Sequence, residues 1–211
     1  IAVTAGLLGT LNRDELQGVV AHEMSHIMNR DILLMTFAGM MLGAITLMAE
    51  VFTRSLWFGG GSRYKSKSSD KGGQGQIIIL VLAIALAILG PIMAQLLYFA
   101  ISRRREYLAD ASAVRLTRYP DGLASALEKI SGTNLDLKTA NKVTAPMYII
   151  NPLKKKGMKL SNVTSTHPPI TERINILRSM THGVNYANYQ NAFNKVTGKS
   201  SGLIPQSGLT D

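Results

Sequence analysis

"VVAHEMSHIMNRD", residues 19–31, places two histidines one helical turn apart, directly before a long apolar run. Histidines four residues apart lie on one face of an α-helix, so both imidazoles can reach one cation at the roughly 2.0–2.1 Å of a Zn–N bond. Glu23, beside the first histidine, could take a proton from an attacking water and pass it to a leaving amine. The spacing of His22, Glu23 and His26 therefore indicates a hydrolytic zinc site; the alternative is two helix histidines satisfied by local hydrogen bonds.

Two stretches without any charged residue, 32–49 and 72–102, follow along the chain. Each exceeds the roughly 18–20 apolar residues that cross about 30 Å of hydrocarbon. We therefore predict a mainly α-helical integral membrane protein with transmembrane helices at 31–52 and 77–101, joined by a polar Gly/Ser/Lys linker at 53–76. The alternative is two buried helices of a soluble protein.

The residues before the first apolar stretch are expected to begin the catalytic domain, at 1–30. Residues 1–5 are apolar and β-branched, which predicts a short edge strand. Asn12 with Glu15 three residues later is typical of a helix start with a capping box. Nothing obvious stops this helix before Glu50, so the histidine helix is expected to run straight into the first span.

The part after the second apolar stretch, 102–211, is expected to continue the same domain. A helical period persists while the sequence turns charged, and a turn is predicted at 119–122, before a short amphipathic helix. A further helix is predicted from about Thr171. The last twenty residues are polar and weakly patterned, which predicts a frayed tail.

The formal net charge of +10 is unevenly distributed, with +1 on residues 1–101 and +9 on 102–211. A basic domain suits the anionic cytoplasmic leaflet of a membrane. Plain solubility explains the charge nearly as well, and the sequence has no nucleic-acid recognition motif.

The chain has no cysteine, which excludes disulfides and Cys-ligated metals. The positive-inside rule does not place the basic linker outside, so either orientation is set elsewhere or the helix pair does not cross fully.

A catalytic zinc needs a third protein ligand and an open fourth position. Glu106 is the best candidate, because two antiparallel crossings return the chain to the face it left, beside His22 and His26. Asp110, one turn after Glu106, could accept an N–H from a ligand histidine and fix its tautomer. A solvated pair of carboxylates that offsets the basic residues 103–105 is an equally good explanation.

The other two histidines carry weaker signals. His167 precedes two prolines that restrict its backbone, and with Arg173 about a turn into the next helix it could line a cleft. There it would be placed to hydrogen-bond a developing oxyanion. From the residues alone, a histidine in an ordinary loop is the better explanation, and His182 is expected on the surface.

The chain resembles the HtpX-type membrane zinc metalloproteases, relatives of the CAAX prenyl proteases, over about residues 1–180. The resemblance rests on three segments in order, "GLLGTLNRDELQGVVAHEMSHIMNRD", "RRREYLADASAV" and "HPPITERI", separated by the two apolar stretches. It implies a zincin-like metalloprotease domain with a short edge strand or small sheet, and one zinc ion per chain. The residues that the resemblance implies for the metal and its chemistry are the ligands His22, His26 and Glu106, the general base and acid Glu23, and the supporting Asp110.

The same resemblance implies that His167 and Arg173 belong to the active-site cleft. It also implies a multi-pass protein of the cell (inner) membrane whose site faces the cytoplasm. Its partners would be the lipid bilayer and peptide or protein substrates, in particular damaged membrane proteins under heat-shock quality control. The family's N-terminal spans have no counterpart here, so we expect a part of the protein before Ile1 to be missing. The alternatives are a prenyl-CAAX processing protease and a non-catalytic, zinc-bearing membrane adaptor.

Overall fold

The computed structural model describes residues 1–59, 73–132, 167–180, 183–199, 202–205 and 209, and all regular structure within these ranges is helical. The helices are α1 Ala5–Thr10, α2 Arg13–Met28, α3 Asp31–Gly59, α4 Gly73–Thr117, α5 Pro120–Gly132, α6 Ile170–Arg178 and α7 Tyr186–Thr197. Most of the predicted 53–76 linker lies outside the described residues, as does His182; the linker's two flanks are helical.

The edge strand predicted at residues 1–5 is wrong. The chain is helical from Ala5, and Thr4 caps α1 by accepting a hydrogen bond from the Leu7 N–H at 3.3 Å. A β-branched start favours a strand only where a neighbouring strand is available for pairing. The described residues contain no such strand, so the small sheet of the predicted fold is not found among them.

Helix α2 begins as predicted but does not run into the first apolar stretch. The Asn12 side chain accepts the Glu15 N–H at 2.9 Å, and the Glu15 carboxylate accepts the Asn12 N–H at 2.8 Å, which completes the capping box. At the other end the helix stops at Met28, and Arg30 has a φ of 54°. This left-handed conformation is unfavourable for a residue with a Cβ and interrupts the helix before α3 starts. The prediction of one uninterrupted helix is therefore wrong.

The chain divides into two compact units, and the first comprises Ile1–Ile32 and Phe99–Asp211. In this unit α2 packs on α5, α5 on α6, and α6 on α7. The α2 and α5 backbones are in close contact, because a Cβ at Gly18 would lie 2.8 Å from the Leu123 nitrogen. Gly122 is equally tight, since its Cβ would lie 2.8 Å from the Asp14 carbonyl oxygen. The two glycines therefore set the distance between α2 and α5.

Two further details of the first unit differ from the sequence predictions. The turn predicted at 119–122 lies slightly earlier, because α5 already begins at Pro120, a residue well suited to the first position of a helix. The predicted frayed tail is wrong over its described part. Phe193 and Ile204 are buried in the core, and the Gln190 side chain accepts the backbone N–H groups of Leu203 and Ile204 at 2.8 and 3.1 Å.

The second unit, Leu33–Tyr98, contains the apolar parts of α3 and α4. The segments Asp31–Leu56 and Leu80–Thr117 are long and apolar enough to cross a membrane, and none of their most apolar residues is buried. This exposure counts against two core helices of a soluble protein, which would bury such residues. Gly39 lies against the Tyr98 ring and Gly90 against Ile45, an order of contacts that makes the two helices antiparallel.

Candidate metal centre

The ligand atoms of His22 and His26 on α2 converge with the Glu106 carboxylate on α4. The two Nε2 atoms are 3.3 Å apart, and each lies 3.7 Å from one of the two Glu106 oxygens. Ligand atoms on a tetrahedral zinc, with bonds of about 2.0–2.1 Å, are separated by roughly 3.3–3.4 Å. The three side chains therefore need to move by only a few tenths of an ångström to share one ion, and they form a group that could hold a metal.

Glu106 is buried and charged, unlike a solvated carboxylate. His167 Nδ1 lies 3.3 Å from its Oε2, and Arg173 donates to the same oxygen at 3.1 Å. Burial alone would raise the pKa of Glu106, but the hydrogen bond from His167 and the charge of Arg173 outweigh it and hold the pKa well below its usual range. The carboxylate is therefore in the deprotonated form that a metal ligand requires.

Asp110 holds His22 in position. Its Oδ1 lies 2.9 Å from His22 Nδ1, and both side chains are buried. A carboxylate at Nδ1 favours the tautomer that carries its proton there and leaves the Nε2 lone pair facing His26 and Glu106. Burial would raise the pKa of Asp110, but the charge of Arg173 and the hydrogen bond from His22 lower it. Asp110 and Glu106 are thus not the solvated pair that the sequence alone left open.

Arg173 lies beneath the ligands and does not line an open cleft. Its side chain is 0% exposed, and it donates to the two Asp110 oxygens at 2.8 and 2.7 Å and to Glu106 at 3.1 Å. A buried guanidinium is tolerated when carboxylates compensate it, and here two of them do. Burial would lower the pKa of Arg173, but Asp110 and Glu106 raise it. The side chain is packed against these two carboxylates and, because it is completely buried, is not exposed to a substrate.

The structure places the remaining predicted residues, Glu23 and His167, at the edge of this group. Glu23 is partly exposed, adjacent to His22 on α2, and makes no hydrogen bond or ion pair with a described residue. His167 immediately precedes Pro168 and Pro169 and is partly exposed, beside the Glu106 carboxylate. Both side chains are partly exposed, but the two ring nitrogens of His167 are buried.

Sequence reasoning assigned no role to Asp31 or Arg105, and the structure brings both to the site. Asp31 Oδ2 lies 2.7 Å from His26 Nδ1, and Arg105 binds the other Asp31 oxygen. The available signal was a carboxylate five residues after the second histidine. This signal could not be recognised without knowledge of the break at Arg30, because in a continuous helix the Asp31 carboxylate would lie on another face than His26.

The sequence that forms this site matches a known protein family. The family model described as Peptidase family M48 matches residues 1–181. The chain belongs to peptidase family M48. This confirms the resemblance that the three sequence segments indicated, and the matched range of this M48 chain contains all of the ligand and orienting residues described above.

Relatives of this M48 chain bear the name "Protease HtpX homolog". The protein from Dictyoglomus turgidum is 49% identical over 180 residues, which is 85% of this chain and 56% of the relative. The one from Caldanaerobacter subterraneus subsp. tengcongensis is 50% identical over 182 residues, 86% and 58% of the two chains. The one from Lactobacillus helveticus is 45% identical over 180 residues, 85% and 59%. The M48 chain thus spans just over half the length of these relatives. No solved structure matches it.

Proposed function

We propose that this chain carries the active site of a membrane-embedded zinc metalloendopeptidase. The observation that supports this most directly is the convergence of two Nε2 atoms and one carboxylate, with the Nδ1 atom of each histidine taken by an aspartate. Two histidines and one glutamate are a ligand set of catalytic zinc sites, since they leave a fourth position open. His22, His26 and Glu106 would hold one zinc ion per chain.

Each residue of the site would have a distinct task. Zinc, when bound, supplies a Lewis acid at this position. Glu23 would accept the proton of the attacking water and return it to the leaving amine. His167, which lies beside Glu106, would hydrogen-bond the oxyanion that develops on the scissile carbonyl. Arg173 would act as a positioning residue, because it is completely buried and donates to Asp110 and Glu106.

We place this activity at the cytoplasmic face of the cell membrane, on peptide and protein substrates such as damaged membrane proteins. The two unburied apolar helices support the membrane, and the +9 charge of residues 102–211 supports the cytoplasmic side. The word "Protease" in the relatives' name supports the substrate class. In this arrangement 1–30 and 102–211 form the metalloprotease domain, 31–52 and 77–101 span the bilayer, and 53–76 link the spans.

The proposal is tested by measuring bound zinc and cleavage of an unfolded, fluorescently labelled protein substrate for the wild type and for Glu23→Gln. Because Glu23 is not a ligand, we expect one zinc per chain in both proteins, and cleavage reduced by at least about 100-fold in the variant. The matched control is Glu128→Gln, which removes an exposed carboxylate on α5 and should cleave like the wild type.

Three other outcomes are informative. Full cleavage by Glu23→Gln contradicts the assigned mechanism. Stoichiometric zinc in a wild type that cleaves no substrate favours the non-catalytic adaptor. Cleavage restricted to a farnesylated peptide, with none of the unmodified peptide, favours the prenyl-CAAX protease.

A further inference from the structure

His26 has a charged partner on the nitrogen that faces away from the ligand cluster. Its Nε2 faces His22 and Glu106, while its Nδ1 lies 2.7 Å from Asp31 Oδ2. A carboxylate in this place fixes the protonated nitrogen of the ring and its orientation. Asp31 is only 5% exposed, so the contact is protected from water and from screening by salt.

The break between α2 and α3 makes this contact possible. In a continuous α-helix a residue five positions after His26 would lie about 140° around the axis from it. The helix instead ends at Met28, the chain turns through the left-handed Arg30, and α3 begins at Asp31. The unfavourable φ of 54° at Arg30 is therefore the local condition for returning the Asp31 carboxylate to His26.

Arg105 holds this turn from α4. Its guanidinium donates to the second Asp31 oxygen and, at 3.3 Å, to the carbonyl oxygen of Asn29 within the turn. Arg105 also directly precedes the ligand Glu106 in the sequence. The same turn of α4 thus supplies one ligand and fixes the partner of another.

We propose that Asp31, clamped by Arg105, is the positioning residue of His26 and sets the affinity of the site for its metal. This inference rests on the proposed zinc site and names residues that the ligand set does not include. The arrangement repeats the one around His22, whose Nδ1 meets Asp110, which is in turn bound by Arg173. Each ligand histidine thus has an aspartate at its Nδ1, and each of these aspartates is bound by an arginine.

The test is the zinc affinity of the purified protein in detergent, measured by competition with a chromophoric chelator, together with the absorption spectrum of the cobalt-substituted form. For Asp31→Ala we expect zinc affinity to fall about 10- to 100-fold and the cobalt spectrum to change. Asp31→Asn retains an oxygen that can accept from Nδ1 and should lose less. Arg105→Gln should also weaken binding, because Asp31 is then no longer clamped. Asp14→Asn, which removes an exposed carboxylate at the far end of α2, is the matched control and should bind like the wild type.

A purely structural role for Asp31 predicts the opposite pattern. It would lower the melting temperature of the metal-free protein and leave the zinc affinity of the folded fraction unchanged, and this result would overturn the inference. If Asp31→Ala does not fold, Asp31→Asn and Arg105→Gln decide in the same way. A wild type that binds no zinc refutes the proposed function itself, whereas normal zinc binding by both the wild type and the Asp31 variants refutes only the role of Asp31.

Discussion

Replacing Arg173 should destabilise the protein far more than replacing Arg178, five residues further along α6. Both arginines contact two carboxylates, and they differ mainly in burial. Arg173 is 0% exposed and binds Asp110 and Glu106, whereas the Arg178 side chain is 39% exposed and binds two exposed carboxylates on α5. The comparison therefore isolates the effect of burial on an ion-pair network.

The magnitudes follow from what each substitution leaves behind. Arg173→Gln leaves two buried carboxylates without their cation, and breaking a buried pair in this way costs about 3–5 kcal/mol. Arg178→Gln leaves its partners in water, where an exposed pair contributes about 0–1 kcal/mol. Arg173→Lys keeps the charge but loses the two-pronged contact to Asp110 and should fall between the two.

The assay is thermal unfolding of the metal-free protein in detergent, with a chelator present so that metal binding does not contribute. For a chain of this length, each kcal/mol shifts the melting temperature by about 2–4 °C. Arg173→Gln should therefore melt roughly 6–20 °C below the wild type, and Arg178→Gln within about 4 °C of it. Equal shifts for the two variants would refute the argument that burial decides the contribution of these pairs.

Three more outcomes are expected. Gly18→Ala should cost about 1–3 kcal/mol in urea unfolding, because its Cβ would lie 2.8 Å from the Leu123 backbone, whereas Gly9→Ala, with open space around it, should be neutral or stabilising. Excess zinc, at about 100 times its dissociation constant, should add about 2.7 kcal/mol of stability, which a chelator should reverse. Glu15→Gln should lower stability by about 1 kcal/mol at pH 7, and in pH-dependent unfolding the difference should shrink as the pH falls below the ordinary glutamate pKa of about 4.3.

The sign of the Glu15 prediction follows from its contacts. Burial would raise the pKa of Glu15, but the hydrogen bonds from Lys129 and the Asn12 backbone lower it below its ordinary value. A carboxyl group with a lowered pKa in the folded state stabilises that state above its unfolded pKa, and this contribution is lost as the pH falls through the folded pKa. A difference that grows on acidification would contradict the assigned contacts.

The pair of candidate histidine ligands could be predicted from the sequence because local spacing puts them on one helix face. A separation of four residues on a helix puts His22 and His26 on one face, and two long apolar stretches return the chain so that Glu106 meets them. Both conditions act through helix geometry, which hydrophobic pattern and capping signals reveal. The capping box at Asn12 and the helix after Pro169 were predictable for the same reason.

The predictions that were wrong concern elements that depend on contacts distant in sequence or on single backbone angles. The β-branched start has no described strand to pair with, and the polar tail packs because Gln190 satisfies the backbone of Leu203 and Ile204. Neither partner is visible in the local pattern. No glycine or proline indicates the break at Arg30 in the sequence, because residues 29–31 are Asn-Arg-Asp.

This break shows why the residues that orient the ligands are harder to predict from the sequence than the ligands themselves. Asp110 was predictable because it lies one turn from Glu106 on an unbroken helix, so that spacing alone gives its face. Asp31 has the same task for His26, but it reaches the ring only through a residue in the left-handed region and an arginine 74 positions away. The spacing of residues along a helix can therefore specify a set of metal ligands. The side chains that orient those ligands depend in addition on where the helix ends. In this chain the end of α2 is itself part of the candidate metal centre.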